Sequence, residues 1–269
     1  MPELPEVETT RRGVEPFLKN KIIKKIEVRN SSLRVPVNKT KLKKTINKKI
    51  IEVGRKGKYI FLQLNDESKI IIHLGMSGTL RVHNKFQKLK HDHVILKLET
   101  GQSLIFNDTR RFGLFHLVLK NEEFSMFENN GPDPLSQKDG NYFYSKIKNS
   151  KSTLKALLLN NKIISGIGNI YASEILFLSK LSPKKRGNKV TKIQCDEIIK
   201  FSKIVLNRAI KFGGTTLNDY HNAENKPGYF KIKLFVYDRE GEDCKECKSK
   251  IFQIRQNNRS TYFCKNCQS

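Results

Sequence analysis

Cys244-Lys245-Glu246-Cys247 and, after sixteen intervening residues, Cys264-Lys265-Asn266-Cys267 form the stretch from which the architecture is most directly read. Each C-x-x-C pair lets one tight turn aim two thiolates at a single tetrahedral ion, and two such turns close the coordination shell. A closed shell of four sulfurs has no open position, so the expected ion, one Zn2+, is structural rather than catalytic. Fewer than thirty residues bury little core, so the metal supplies the folding energy of this module. A redox dithiol is the alternative. The segment between the pairs carries Arg255, Asn257, Asn258 and Arg259, which places cations at the tip of a β-hairpin. Modules of this type serve protein contacts as well as DNA contacts, so the cysteines alone do not define the partner. The fifth cysteine, Cys195, stands apart in a helical pattern and reads as a small buried side chain. Cysteines clustered in this way argue against a disulfide framework and fit a reducing compartment.

Charge points to the partner. Fifty-two Lys and Arg against 26 Asp and Glu give a formal net charge of +26, an excess that repels itself in the compact state and suits a polyanion. Between Lys19 and Lys58 fifteen basic residues face only two acids, Glu27 and Glu52. Part of this excess fits a chain that is rich in Lys, Ile and Asn throughout. No basic amphipathic helix with an aromatic face is present, which favours nucleic acid over a membrane surface. No run of about 18 apolar residues exists to cross a bilayer, and the acidic, proline-rich start fits neither a signal nor a transit peptide. The expectation is a soluble, cytoplasmic, nucleoid-associated protein, monomeric because no dimerisation signal is visible.

The chain opens with a helical pattern over about Glu3 to Leu18, with Val7, Thr10, Arg11 and Val14 at helical spacing and Pro5 in the first turn. Strand-like segments follow: Ile22 to Val28, Lys49 to Val53, Tyr59 to Leu64, Lys69 to Leu74, Val94 to Leu98, Ser103 to Phe106 and Leu114 to Leu119. Alternation through Tyr59-Ile60-Phe61-Leu62-Gln63-Leu64 and the Thr100-Gly101 turn predict antiparallel pairing in a sandwich or barrel. The texture changes between Asn129 and Ser150, where a domain boundary is expected. Helical patterns come next, over Thr153 to Leu159, Ile170 to Ser179 and Thr191 to Phe212, the last stopped by Gly213-Gly214.

Pro2 carries the most specific chemistry. Removal of Met1 before a small residue exposes a secondary amine at a helix start. Attack of that amine on an anomeric carbon gives an iminium ion, an electron sink that eases elimination of flanking phosphates. The positive end of the helix disfavours the protonated amine, and Glu3 or Glu6 lies close enough to act as general acid/base. An ordinary helix start is the plain alternative.

Two glycine-bounded loops have the character of a wedge. His73-Leu74-Gly75-Met76-Ser77-Gly78 holds an apolar side chain between glycines, and Asn107-Asp108-Thr109-Arg110-Arg111-Phe112-Gly113 sets two guanidinium groups beside a ring. An enzyme that extrudes a nucleotide fills the hole and satisfies the orphaned base with such groups, although a turn with a core phenylalanine and an Arg-Asp pair also fits. In Ser165-Gly166-Ile167-Gly168-Asn169-Ile170 the glycines permit a tight turn, and Asn169 is expected to cap the next helix, whose free N–H groups suit a phosphate. His91-Asp92-His93 is a weak metal motif; as strand residues His91 and His93 face one way, and His91 is as readily a phosphate contact. Lys56 and Lys58 read as solvated charge, except that Gly57 permits close backbone approach.

Taken together and in this order, Pro2-Glu3-Leu4-Pro5-Glu6-Val7-Glu8-Thr9, Gly57-Lys58-Tyr59, His73 to Gly78, Asp108 to Gly113, Gly166 to Glu174 and the four cysteines resemble the formamidopyrimidine-DNA glycosylase family from end to end. Gly213-Gly214-Thr215-Thr216-Leu217 and Lys226-Pro227-Gly228-Tyr229-Phe230 are similar to it as well. The resemblance implies an α+β multidomain fold: an N-terminal β-sandwich with a leading helix over 1–130, a helix–two-turn–helix domain over 131–225, and a zinc-finger hairpin over 235–269. It implies double-stranded DNA in a basic cleft between the halves and a bifunctional glycosylase/AP lyase of base excision repair acting on oxidised purines. By resemblance Pro2 forms the Schiff base, Glu3 is the general acid/base, Lys58 assists β-elimination, and Arg259 serves δ-elimination and phosphate binding. Met76, Arg110 and Phe112 fill the void, with Arg110 facing the estranged cytosine. Glu6, His73, His91, Arg111, Lys151, Lys155 and Asn169 are implied DNA contacts. The loop from Thr215 to about Asn225 is implied to cover the flipped base. One departure is Leu159-Asn160-Asn161-Lys162, where the family more often has an Asp-Gln pair.

The nearest alternative is the endonuclease VIII type, which prefers oxidised pyrimidines and usually starts Pro-Glu-Gly-Pro-Glu, where this chain has Leu4. A non-catalytic, zinc-dependent DNA-binding protein needs no free amine at Pro2. A ribosome- or RNA-associated protein accounts for the charge and the zinc but not for Pro2-Glu3 or the wedge loops.

Overall fold

The computed structural model describes residues 1–84, 89–214 and 233–269. The expectations for Thr215 to about Asn225 and for Lys226 to Phe230 lie outside these residues. Two compact units are present: Met1–Asn129 with the residues just after Lys211, and Asn130–Lys211 with the C-terminal segment.

In the first unit helix α1 (Leu4–Leu18) leads into eight strands, β1 (Ile23–Val28), β2 (Ile50–Lys56), β3 (Tyr59–Leu64), β4 (Lys69–His73), β5 (Gly78–His83), β6 (Asp92–Leu98), β7 (Ser103–Asp108) and β8 (Leu114–Val118). They form two antiparallel sheets, β1-β6-β7-β5 and β2-β3-β4-β8. The core between them is built from alternate residues, such as Leu62 and Leu64, Val94, Leu96 and Leu98, and Leu104 and Phe106. Val7, Val14 and Leu18 of α1 join the same core. Period-two alternation therefore became a sandwich because each sheet buries one whole face.

The run Ile70-Ile71-Ile72 does not alternate because its strand is covered on both sides. Ile70 and Ile72 face the sandwich core. Ile71 packs with Tyr59, Leu114 and Phe127 under α3 (Ser125–Glu128). Four elements are absent from the sequence pattern: β5, the short helices α2 (Lys39–Lys43) and α3, and α4 (Asn141–Ile147), which falls inside the stretch read as a boundary. Strand β5 lies at a sheet edge and buries little but Leu80. Helix α2 contributes Leu42 alone, and three of its five residues are lysines. None of these presents the periodic apolar stripe on which sequence recognition depends.

The second unit contains α4, α5 (Leu154–Leu158), α6 (Asn169–Leu178) and α7 (Lys192–Lys211), then the hairpin of β9 (Ile251–Gln256) and β10 (Arg259–Cys264). Phe177 of α6 packs with Val236, Ile251, Tyr262 and Cys264, so the hairpin shares a core with the helices. The buried Glu174 carboxylate accepts N–H bonds from Phe235 at 2.7 Å and from Val236 and Tyr237 at 2.9 Å, fastening the approach to the hairpin onto α6. At the departure over 159–162, Asn160 Oδ1 accepts the Lys162 N–H at 3.0 Å, so the substituted residue closes its own turn.

Candidate active site

The first unit gathers one set of site residues around the start of α1. Glu3 is its N-cap, and Glu3 and Glu6 form a reciprocal capping box in which Glu6 Oε2 accepts the Glu3 N–H at 2.8 Å. Both carboxylates are buried, as is Pro2. Gly214 presses on the same place: with φ at +85°, a Cβ there would stand 2.8 Å from Glu6 Oε1. In the sequence this glycine stands as a helix stop and within a segment similar to the family, with no sign of a link to Glu6. Its closeness to Glu6 is a long-range contact that no local pattern signals.

With Met1 in place, burial is the first influence on the chain's terminal amine and lowers its pKa from the ordinary 8.0; Glu3 and Glu6 raise it, and Lys58 and Arg110 lower it further. The charges that act on the amine thus come from α1, from the two-residue turn joining β2 to β3, and from the loop after β7. Lys58 is 5% exposed in that turn, where Gly57 has φ at +59°. Its neighbour Lys56 pairs with Glu128 at 3.1 Å and lies 4.9 Å from the Phe127 ring centre, which gives that charge a local partner.

His73 ends β4 with its ring 4.8 Å from that of Tyr59. Its Nδ1 accepts the Gly75 N–H at 3.0 Å, so the proton of the neutral ring sits on Nε2. Burial, then Lys58 and Arg34, push its pKa down to about 3, so the ring is a neutral donor at ordinary pH.

The two wedge loops abut. With φ at +63°, Gly75 leaves no room for a side chain, since a Cβ would stand 2.5 Å from Gly113 N and from the Phe112 carbonyl carbon. Met76 is half-buried and Phe112 is 49% exposed. The Arg110 guanidinium lies 5.0 Å from the Phe112 ring centre. Arg111 is exposed with φ at +60°. Beneath them is Asp108, whose carboxylate accepts the main-chain N–H groups of Arg110 and Gly113 rather than forming the Arg-Asp pair of the plain alternative.

His91 and His93 do not face one way along a strand, as the sequence reading expected. His91 precedes β6 with φ at +71° and borders an open depression with Arg29, Asn30 and Lys90. His93 is buried, with Nε2 2.7 Å from the Asp108 carbonyl oxygen. The left-handed residue breaks the alternation.

On the second unit Lys155 and Asn169 converge on the hairpin. Lys155 Nζ donates to the Ser260 carbonyl and to Thr261 Oγ1, both at 2.8 Å, and the side chain is fully buried. Asn169 Nδ2 donates to the same carbonyl at 3.0 Å. Asn169 is the first residue of α6 and Gly168 is its N-cap, so the expected cap is displaced by one residue and the asparagine side chain is turned to the hairpin instead. Asn257 and Asn258 supply a two-residue turn with φ at +48° and +60°, the left-handed pair a tight hairpin requires. Arg259 begins β10 beside that turn and is exposed, as is Lys151 ahead of α5.

Cys244, Cys247, Cys264 and Cys267 place all four sulfurs within 4.8 Å of one another, with Cys244 and Cys267 at 3.9 Å and Cys247 and Cys264 at 3.4 Å. Four thiolates at ~2.3 Å from a tetrahedral zinc stand about 3.8 Å apart, so the cluster fits such an ion. Among the described residues it is the one group of three or more His, Cys, Asp or Glu that could hold a metal. No helix among the described residues is long and apolar enough to cross a membrane.

Residues 1–115 match the formamidopyrimidine-DNA glycosylase N-terminal domain, and residues 130–221 match the formamidopyrimidine-DNA glycosylase H2TH domain. The formamidopyrimidine-DNA glycosylase of Rickettsia bellii is 43% identical over 273 aligned positions, which cover 100% of this chain and 99% of that one. That of Proteus mirabilis is 44% identical, covering 100% and 98%. Among solved structures, the MutM (Fpg) protein of Thermus thermophilus matches with a TM-score of 0.88 and 34% identity, covering 99% of this chain and 98% of that one. A Lactococcus lactis Fpg variant in complex with Fapy-dG containing DNA matches with a TM-score of 0.89 and 32% identity, covering 99% of both chains.

Proposed function

The chain belongs to the formamidopyrimidine-DNA glycosylase family, and on that premise we propose that it flips out oxidised purines from double-stranded DNA, excises them through a Schiff base on Pro2, and cleaves the strand by β,δ-elimination. The observation that carries this reading is the buried chain end, whose amine is acted on by Glu3, Glu6, Lys58 and Arg110. Burial disfavours the ammonium form, and the same surroundings favour the free-amine form of Pro2, the nucleophile, once Met1 is removed.

The Pro2 nitrogen bonds to C1′ as the bond from C1′ to the base breaks, the base leaving with the electron pair and a proton. Glu3 then donates a proton to the sugar ring oxygen, whose bond to C1′ opens to leave the iminium ion. Loss of a C2′ proton expels the 3′-phosphate, with the Lys58 ammonium offsetting the negative charge of that departure. A second elimination expels the 5′-phosphate, at which Arg259 is the cation, and water hydrolyses the iminium to free Pro2. Met76, Arg110 and Phe112 fill the place of the extruded nucleotide, with Arg110 bonding the orphaned cytosine. His73 as a neutral Nε2–H donor, His91, Arg111, Lys151 and Asn169 bind the DNA backbone, and Glu6 orders the lesion pocket through the Glu3 amide. Lys155 acts through the hairpin that it anchors beside Arg259.

The cysteine cluster holds one structural Zn2+, which when bound supplies the folding energy of the hairpin. The protein works as a monomer in the cytoplasm, associated with the nucleoid, and its charge of +26 gives it salt-sensitive affinity for any duplex.

Borohydride trapping on a duplex with 8-oxoguanine opposite cytosine, beside one with an oxidised pyrimidine, tests the reading. A covalent adduct on the purine duplex that disappears in Pro2→Gly is the expected result. An adduct mainly on the pyrimidine duplex moves the substrate class to that of endonuclease VIII. No adduct on either, with Met1 removed and metal bound, leaves a DNA-binding protein without this chemistry.

A further inference from the structure

We propose that Asp108, with Ser77, is a positioning residue that locks the Met76 loop and the Arg110–Phe112 loop into one wedge and so sets discrimination of the base opposite the lesion. The inference rests on the reading of Met76, Arg110 and Phe112 as the void-filling group. Asp108 is wholly buried at the end of β7, yet its side chain has no part in the chemistry. Its Oδ1 accepts the Ser77 hydroxyl at 2.7 Å and the Arg110 N–H at 3.2 Å, and its Oδ2 accepts the Gly113 N–H at 2.7 Å. The Ser77 Oγ in turn accepts the same Arg110 N–H at 3.1 Å. One carboxylate therefore holds the residue after Met76, the backbone of Arg110, and the glycine that closes the loop after Phe112.

The main chain of Asp108 is fixed as well. Its N–H donates to the His91 carbonyl at 3.1 Å, and its own carbonyl faces His93 Nε2 at 2.7 Å. The glycines leave no slack, since a Cβ on Gly113 would stand 2.9 Å from Asp108 Oδ2 and from the His73 carbonyl oxygen. Arg110 and Phe112 project outward from this base and touch each other at 5.0 Å. A long exposed guanidinium selects one base over another only if its backbone is held, because otherwise ordering the side chain offsets the gain from its hydrogen bonds. The buried carboxylate meets that requirement with three acceptor contacts to neutral donors, all supplied by the two loops.

The test uses Ser77→Ala, Ser77→Thr and Asp108→Asn, with Arg110→Ala as the reference. The readout is the ratio of single-turnover excision of 8-oxoguanine opposite cytosine to that opposite adenine. Borohydride trapping on a single-stranded abasic site, where no opposite base exists, runs alongside. Loss of the Ser77 hydroxyl is expected to lower the ratio about fivefold, as for one hydrogen bond, with Ser77→Thr restoring it and single-strand trapping unchanged. A merely structural role would depress both excision rates and the trapping together and leave the ratio alone. If Arg110→Ala lowers the ratio while Ser77→Ala and Asp108→Asn do not, the positioning role is overturned and the void-filling reading stands. If Arg110→Ala leaves the ratio unchanged, both are overturned. Ser77→Ala leaves the Asp108 bond to Gly113 intact, so the answer does not depend on Asp108→Asn folding.

Discussion

Arg55 Nε donates to Glu8 Oε2 at 3.0 Å, joining the first helix to the end of β2 across forty-seven positions of sequence. The same guanidinium donates through Nη1 to the Gly57 carbonyl at 3.0 Å, so the helix that starts after Glu3 and the turn that carries Lys58 share one clamp. Arg11 and Arg12 complete the pairing of Glu8 at 3.0 and 2.7 Å.

Removing that charge should cost acid stability in a defined window. Burial pushes the Glu8 carboxyl up, but the bonds from Arg11, Arg12 and Arg55 outweigh it and hold the pKa down to about 2 against the ordinary 4.5. A depressed carboxyl contributes stability that is complete above 4.5 and lost as pH falls from 4.5 through 2, roughly 3 kcal/mol here. Glu8→Gln should lower the thermal midpoint at pH 7 and flatten the acid limb between pH 4.5 and 2. An acid limb as steep as that of the unaltered protein would contradict the clamp.

His73 acts in a different window. Its pKa is lowered by burial, Lys58 and Arg34 to about 3, so below pH 6.5 the unfolded chain takes up a proton that the folded chain refuses. Stability from this group is complete above 6.5 and is lost as pH falls toward 3, roughly 2 kcal/mol of it between 6.5 and 5. Glu8 does not titrate over that interval. Denaturant unfolding at pH 6.5 and 5 should show a drop in the unaltered protein and a smaller one in His73→Gln, where His116, also lowered by burial and Lys41, still contributes.

Glu174→Gln replaces an acceptor oxygen with an amide that cannot accept. With three backbone donors converging on the buried carboxylate, at least one N–H is left unpaired, at about 2 kcal/mol or more. Faster hydrogen exchange is expected at Phe235, Val236 and Tyr237, with the sandwich strands unchanged. Unchanged protection at these three amides would show that the carboxylate does not hold them.

Metal removal should act on the hairpin rather than on the sandwich. The thiols then take up protons and the cross-link between the two turns is gone, and the small core of Val236, Ile251 and Tyr262 is too slight to hold β9 and β10. Chelation or Cys247→Ser should abolish exchange protection over 251–264 and weaken duplex binding, while Ile60 to Leu64 stay protected. Retained hairpin protection in metal-free protein would overturn this account.

The long, periodic elements were legible without coordinates. Tyr59–Leu64 was read with its exact ends because alternation over a half-buried strand leaves a direct trace in residue order, and helix α7 was read to within a residue at either end. The texture of the sequence changes after Asn129, the last residue of the first stretch of the first compact unit. The short elements were lost: β5 for its sparse edge-strand pattern, α2, α3 and α4 because one or two buried residues make no stripe. His91 and Asn169 were each read one backbone conformation wrong, a left-handed residue taken as strand and a first helical residue taken as its cap.

By itself the sequence determined the order of elements, the charge, the four sulfurs and the types of residue at the candidate site, because each of these is carried by composition or by spacing along one segment. Tertiary structure alone decided that Glu8 clamps the Lys58 turn, that Gly214 presses on Glu6, that Asp108 ties two loops together and that Lys155 is turned inward to the hairpin. Those contacts join residues 31 to 208 positions apart, except for the short spans from Arg55 to Gly57 and within the Asp108 loop. Each depends on which backbone donors and acceptors the fold leaves for a buried charge to satisfy, and that is settled only when the sheets and helices have packed.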